Sequence, residues 1–357
     1  MATAATPLPC GDFRSSYAAD MTIFPSRNSR LGLMLGIVLL CAAPLVLGRY
    51  ELSLLIQIGF LGIAALGLNI LVGFTGQISI GHAAFFGFGA FASAGFHQLG
   101  VPVALSIPLA GLVTAIVGLF FGLPAARLKG LYLAIATLSA QFILEDFFAR
   151  ARWFSGGVAG RITESFSLFG FRFDREETYF YVVLFWVVVM FVAAANLMRS
   201  RDGRALIAVR DHYLSAEVMG INLAYYRTLS FGIASFYAGI GGALYAHYIL
   251  FVSVEAFNIL FSIQFLAMVI IGGLGSVMGS LMGAAFMVLM PEVVQSAAQA
   301  LQGSAIDVAL NLGNSLNFLR EMAIGAAIIL FLIFEPDGLA HRWGMIKAYW
   351  KLYPYSH

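Results

Sequence analysis

The sequence predicts an all-α polytopic membrane protein of about ten transmembrane helices with both termini cytoplasmic. Three observations carry this. Hydrophobic residues make up 61% of 357 and mean hydropathy is +0.89, well above the roughly 45–50% apolar usage of soluble domains. Apolar runs recur along the chain at about the 20-residue length that crosses a ~30 Å hydrocarbon core. Lys and Arg also divide unevenly between alternate loops. A net charge of +2 without a basic cluster gives no sign of a nucleic-acid partner. Cys10 and Cys41 provide neither a disulfide framework nor a CxxC metal site.

Residues 1–30 read as a cytoplasmic tail, aperiodic before Met21, which is as plausible a start as Met1. The first span, 31–48, follows basic residues and reads as a signal-anchor, because further spans follow it. The second to fifth are placed at 52–72, 77–98, 102–122 and 128–147, and an external loop at about 148–177 precedes a sixth at 178–198. A polar loop at 199–226 leads to the seventh, 227–249. The next two, 257–272 and 277–297, are separated softly by Gly272, Gly273, Gly275, Gly279 and Gly283. The last span is 318–335, and 336–357 form a cytoplasmic tail, so that 31–335 constitute one membrane domain. "GFTGQISIGHAAFFGFGAF" and "GGLGSVMGSLMGAAFMVLM" resemble each other weakly; both an internal repeat and chance in Gly-rich spans explain this.

With this partition 13 of the 20 basic residues share a side with the termini. They are Arg14, Arg27 and Arg30, then Arg127 and Lys129, the five arginines from Arg199 to Arg227, and Arg342, Lys347 and Lys351. The positive-inside rule makes that side cytoplasmic.

Charged groups at membrane depth are costly and are kept for function, yet the spans are nearly bare. Away from the span ends stand His82, His247 and Glu292, with the end-of-span pair Glu145 and Asp146. Each histidine reads as a local hydrogen-bonding group and Glu292 as interfacial, so no proton relay is in view. There is no GxxxxGK[ST], HExxH or GxSxG. The chain is therefore not expected to be an enzyme, to hold ATP or a metal, or to bind any cofactor.

The exception to this apolar pattern is "RSRDGRALIAVRDHYLSAEVMGINLAYYR", residues 199–227, with eight charged side chains. It reads as two short helices outside the bilayer. Asp202 is expected to cap the first, and Ala205, Leu206 and Val209 to form its apolar side. Asp211 or His212 is expected to cap the second, Leu214 and Val218 to stack at i, i+4, and Gly220 to take the left-handed position at its end. Charge alone reads equally well as a solvated loop.

"GRALIAVRDHYLSAEVMGIN" resembles the cytoplasmic coupling loop of ABC-importer permeases, in particular the branched-chain amino acid family of LivM and LivH type. "ALGLNILVGFTGQISIGHAAFFGFGAF", "GLYLAIATL", "IGGLGSVMGSLMGA" and "EPDGL" resemble that family's other landmarks. The resemblance spans about 31–340 and is closer to the LivM branch, which has the longer external loop. In "SGGVAG" Ser155 stands where Thr is common and Arg161 where an apolar residue is usual, which leaves the substrate open.

The resemblance implies an inner-membrane subunit working with a LivH-like second permease, two cytoplasmic ATPases that use the ATP, and a periplasmic solute-binding protein. Cargo would be branched-chain or other amino acids, urea, amides or aromatic acids. Gly203, Arg204, Arg210, Asp211, Glu217, Gly220 and Asn222 are the candidate ATPase-coupling residues. Thr75, Gln77, Ser79 and His82, polar or hydroxylic and beside a Gly-Phe-Thr-Gly break, are the candidate translocation path. The alternative is an ion-coupled secondary carrier of small polar solutes.

Overall fold

The computed structural model describes residues 27–128, 130–168, 171–300, 322, 324–331, 333–335 and 337–352. Most of the apolar runs are helical among the described residues. α1 (Arg27–Val46), α2 (Arg49–Asn69), α3 (His82–Gln98), α4 (Val103–Ala125), α5 (Leu131–Arg150) and α6 (Glu176–Arg199) come first. The short pair α7 (Arg201–Asp211) and α8 (Tyr213–Val218) follows, then α9 (Leu223–Ile249), α10 (Ile259–Gly272), α11 (Val277–Ala300) and α12 (Gly338–Leu352). Residues 324–331 and 333–334, within the last expected span, are helical; 318–321, 323 and 332 lie outside the described residues, as do 1–26 and Lys129.

Among the described residues, six helices are long and apolar enough to cross a membrane: α2 with its continuation to Phe74, α4, α5, α6, α9 and α11. α1 occupies the expected first span, where the Tyr181 hydroxyl donates to the Cys41 carbonyl at 2.9 Å. Two expected spans are corrected in extent. The one at 77–98 is helical only from His82, and the one at 257–272 only from Ile259. The 14 residues of α10 rise about 21 Å, short of a ~30 Å core.

The physical reason is a pair of backbone breaks. α2 runs on through a π-helical turn, Ile70–Phe74, and the chain then folds back through the non-helical stretch 75–81. His82 Nε2 lies 2.8 Å from the Ala64 carbonyl. Ala64 is ten residues (74 minus 64) before the end of that turn, so α3 starts about 15 Å in from the end of the bundle. The backbone N–H of Ala83 donates to Ser262 Oγ at 2.9 Å, so α10 starts at the same depth, pointing the other way. Gln141 of α5 joins the two starts: its Oε1 accepts from the Ala84 N–H and the Ser262 hydroxyl, and its Nε2 donates to the Phe257 carbonyl. Irregular backbone at membrane depth persists only where protein satisfies it, and these amide and hydroxyl groups do so.

α9 is the hub, packed against α2, α3 and α4. Helices in lipid gain little from apolar burial, so close approach through small residues holds them. A Cβ on Gly242 would lie 1.9 Å from the Phe86 carbonyl oxygen, and one on Gly89 2.4 Å from the Gly239 Cα. Buried side chains from α2, α3, α9, α10 and α11 form one continuous apolar cluster.

At the end bearing Gln98 and Arg150 the chain makes a small folded cap. β1 (Arg161–Ile162) pairs antiparallel with β4 (Phe251–Val252), and β2 (Ser167–Leu168) with β3 (Phe171–Arg172). Gly156, Gly157 and Gly160 bend "SGGVAG" with positive φ. Arg161 donates to the Phe154 carbonyl and to Gln98 Oε1, which fastens the cap to α3. Burial pulls its guanidinium below the ordinary value, though an arginine remains charged at neutral pH. His247 has the expected local role: Nδ1 lies 2.8 Å from the Glu164 carbonyl and Nε2 2.9 Å from Ser93 Oγ.

Candidate coupling loop and translocation path

The loop 199–226 is two ordered helices at the opposite, arginine-rich end. Ser200, not Asp202, caps α7: its Oγ accepts the Gly203 N–H at 3.2 Å. Asp202 instead accepts from the Tyr226 hydroxyl at 3.1 Å, because the turn after α6 places Ser200 at the N-cap. Ala205, Leu206 and Val209 are buried as their spacing requires, and a Cβ on Gly203 would lie 2.3 Å from the Leu197 carbonyl. Arg204 is exposed and donates to the Arg199 carbonyl at 2.9 Å.

Arg210 turns back toward the membrane helices. Its Nη1 donates to the Gly73 carbonyl at 2.7 Å, and its Nε to Asp211 Oδ1 at 2.8 Å. Asp211 therefore holds the guanidinium rather than capping α8, whose N-cap His212 makes no side-chain cap bond. Gly220 has φ +87° as anticipated, and Asn222 Oδ1 accepts the Tyr225 N–H at 3.1 Å to start α9. Glu217 is exposed, and the apolar tip of α8 is bare: Leu214 is 64%, Val218 86% and Met219 82% exposed.

The Gly73 carbonyl that Arg210 reaches belongs to the π-helical turn, which in turn touches the glycine loop between α10 and α11. Asn69, buried in the last turn of α2, makes that junction. Its Oδ1 accepts the Gly275 N–H at 2.9 Å, and its Nδ2 donates to the Ser276 carbonyl at 2.7 Å and to Ser280 Oγ at 2.9 Å. Gly338, after the last apolar run, packs on Gly273 so closely that a Cβ would lie 2.5 Å from its Cα. The two Gly-rich segments that look alike in sequence thus meet at one place, with Arg210 against both.

The candidate path residues lie on the fold-back between this junction and the start of α3, all buried. Thr75 donates its hydroxyl to the Leu71 carbonyl. Gln77 Nε2 donates to Ser230 Oγ at 2.6 Å, while among the described residues neither its Oε1 nor Ser79 Oγ has a partner. His82 sits deeper than its sequence position implied, its ring edge-on to Phe265.

The family of branched-chain amino acid transport system permease components matches residues 50–332. The chain belongs to that family. It is a multi-pass membrane protein and a permease component of a transport system. Among curated proteins it is 28% identical over 337 residues to the high-affinity branched-chain amino acid transport system permease protein LivM of Salmonella typhimurium, and 27% identical to that of Escherichia coli. Each alignment covers 87% of this chain and 75% of the relative. A probable branched-chain amino acid permease LivM of Methanocaldococcus jannaschii is 26% identical over 66% of this chain and 67% of its own. No solved structure matches.

Within this permease, sequence reasoning missed Asn69, Gln141 and Ser262, the side chains that satisfy the breaks. Asn69 and Gln141 did carry a signal, as amides among apolar residues in a span; Ser262 had none, since a serine in a span reads equally as helix packing.

Proposed function

We propose that this permease is one of two membrane subunits of an ATP-driven importer in the bacterial inner membrane, with residues 31–335 as one permease domain and both termini cytoplasmic. A LivH-like second permease, two cytoplasmic ATPases and a periplasmic solute-binding protein complete the machine; ATP is used by the ATPases, and this chain binds no cofactor. The cargo is a branched-chain or other small amino acid, in line with the names of the LivM relatives.

The observation that carries this reading is the α7–α8 loop. A solvated loop would be held loosely, whereas this one is bolted inward through Arg210 and the buried Leu206 and Val209, yet leaves Leu214, Val218 and Met219 bare at its tip. Short helices are marginal in water alone, and a soluble ATPase groove supplies the missing burial. A push on α8 would then pass through Arg210 to the π-helical turn and the α10–α11 loop. Thr75, Gln77, Ser79 and His82 would line the inner half of the path in a conformation more open than this one. The unpartnered Gln77 Oε1 and Ser79 Oγ support that, because a buried polar atom left unpaired costs about 1–3 kcal/mol.

Uptake of labelled leucine, isoleucine, valine, urea and aromatic acids in a deletion strain tests the reading. Expression of the complete transporter restores ATP-dependent amino acid uptake, and Glu217→Lys lowers uptake and substrate-stimulated ATP hydrolysis together while the protein stays inserted. Uptake that survives ATP depletion and follows a cation gradient overturns it in favour of an ion-coupled carrier.

A further inference from the structure

A cavity of ≈ 420 Å³ opens between α2, α9, α10 and α11 on the side of the bundle away from the coupling loop. That volume is within the ~300–1,000 Å³ range of small-molecule sites. Tyr50 and Glu292 stand at its mouth, the tyrosine hydroxyl donating to the carboxylate. Leu61 and Met268 lie at its deep end. From Tyr50 to Leu61 is eleven residues of α2 (61 minus 50), about 16 Å of helix, so the cavity reaches roughly to the depth at which α3 and α10 begin. Its inner wall is aromatic: Phe60, Tyr245 and Phe261 line it, and all three rings pack on Phe86. Beyond Phe86 and Phe265 lies His82, the innermost of the candidate path residues.

The lining has a definite chemistry. Glu292 is its one charged side chain among the described residues, and no Lys or Arg faces it. Gln57, Gln264 and Ser53 add neutral donors and acceptors. Pro291, one residue before Glu292, has no N–H to give to the carbonyl of Met287, which also lines the cavity. The remaining wall is aliphatic and thioether, with Leu54, Leu61, Ile249, Met268, Met287 and Val288 among its residues. The Glu292 carboxylate attracts an ammonium group through charge-assisted hydrogen bonds. The amides and hydroxyls supply neutral donors for a ligand carboxylate, and the aliphatic and thioether wall suits an apolar side chain.

We propose that this cavity is the outer half of the solute path, a vestibule that accepts an apolar α-amino acid with its ammonium at Glu292 and is closed at mid-membrane by Phe60, Phe86 and Phe261. The assignment rests on the importer reading above and names the cargo class and the residues that select it. Urea and simple amides lack the cation that Glu292 favours and the side chain that the wall fits.

The test uses the complete transporter in proteoliposomes. Gln57→Cys and Gln264→Cys are made separately in a Cys10→Ser, Cys41→Ser background and exposed to a hydrophilic, membrane-impermeant thiol reagent added on the side of the cap. Both positions should react. Leucine at about four times its Kd should slow the reaction about five-fold, as simple occupancy requires, while urea has no effect. Adding Glu292→Gln should abolish leucine protection and leave the labelling itself intact. Inert cysteines at both positions in an active transporter overturn the proposal, as does labelling that leucine leaves unchanged while uptake proceeds at the wild-type rate; the importer reading then stands without this vestibule. Leucine protection in a complex that hydrolyses ATP but moves no amino acid supports the site and overturns the importer reading instead.

Discussion

Asn69 uses both ends of its amide, accepting from Gly275 and donating to Ser276 and Ser280, and so ties the last turn of α2 to the loop between α10 and α11. Side-chain hydrogen bonds between membrane helices average about 0.6 kcal/mol, and three of them lost together set the scale at about 2 kcal/mol. Asn69→Ala should lower unfolding free energy by that amount in micelles, read by denaturant titration. Asn69→Asp, which keeps the acceptor for the Gly275 N–H, should recover part of it. Equal stability in all three proteins would show that the junction is held by glycine packing alone. Arg210 acts on the same spot from outside. Its guanidinium makes two bonds from two nitrogens, to Gly73 and Asp211, a geometry the single ammonium of lysine does not reproduce. Arg210→Lys should therefore leave ATPase assembly unchanged but raise the number of ATP molecules hydrolysed per solute moved.

At the scale of the element, α9 and α8 depend on opposite properties of their surfaces. α9 is mostly buried from Ser230 to His247, and its stripe of small residues sets how near α3 and α4 come. Gly242→Val has nowhere to put its side chain against the Phe86 carbonyl, and overpacking of this kind costs about 1–3 kcal/mol or more. The expected outcome is loss of monodisperse protein on size exclusion, with a milder loss for Gly242→Ala. α8 is the reverse: Leu214 and Val218, with Met219 just after it, are largely exposed, and only Ala216 is buried. Leu214→Ser, Val218→Ser and Met219→Ser together should change the permease's own stability by no more than about 0.5 kcal/mol each, while the ATPase no longer co-purifies. A stable complex with all three serines present would remove α8 as the docking element.

For the whole molecule, the division of basic residues predicts an orientation. Reporter fusions at Lys129, Asn222 and Trp343 should report cytoplasm, and those at Gly157 and Gly303 periplasm. A periplasmic signal at Asn222 would end both the orientation and the coupling assignment. The buried state of the inner path makes a second prediction of this scale. Single cysteines at Gln77 and Ser79 should be unreactive to a hydrophilic thiol reagent in the conformation described, where both positions are at most 3% exposed, and should become reactive in another nucleotide state. Cysteines there that stay inert in every nucleotide state of an active transporter would return both residues to packing.

The membrane class, the helices at most of the expected positions and the two helices of the 199–226 loop were legible from residues alone, because helix length and hydrophobicity answer to the bilayer, and Gly220 and the apolar trio Ala205, Leu206 and Val209 answer to local helix geometry. Family membership was legible for the same reason: Gly-rich and charged runs stay contiguous in sequence. What only the tertiary structure decided depends on partners far apart in the chain. Hydropathy sees 77–98 as one run, but whether 77–81 is helix or fold-back depends on whether Thr137 and Ser230, more than 50 residues away, can satisfy it. Asp202 and Ser200 were both competent caps, and the turn after α6 with Tyr226 across from it chose between them. Arg210 could face solvent or membrane on charge alone, and the Gly73 carbonyl fixed it inward. Glu292, read from its place near a helix end as interfacial, stands at the mouth of a cavity because α2 brings Tyr50 to it from 242 positions away. A single chain position fixes polarity and local conformation, whereas burial and hydrogen-bond partners are set by packing among helices that sequence order does not reveal.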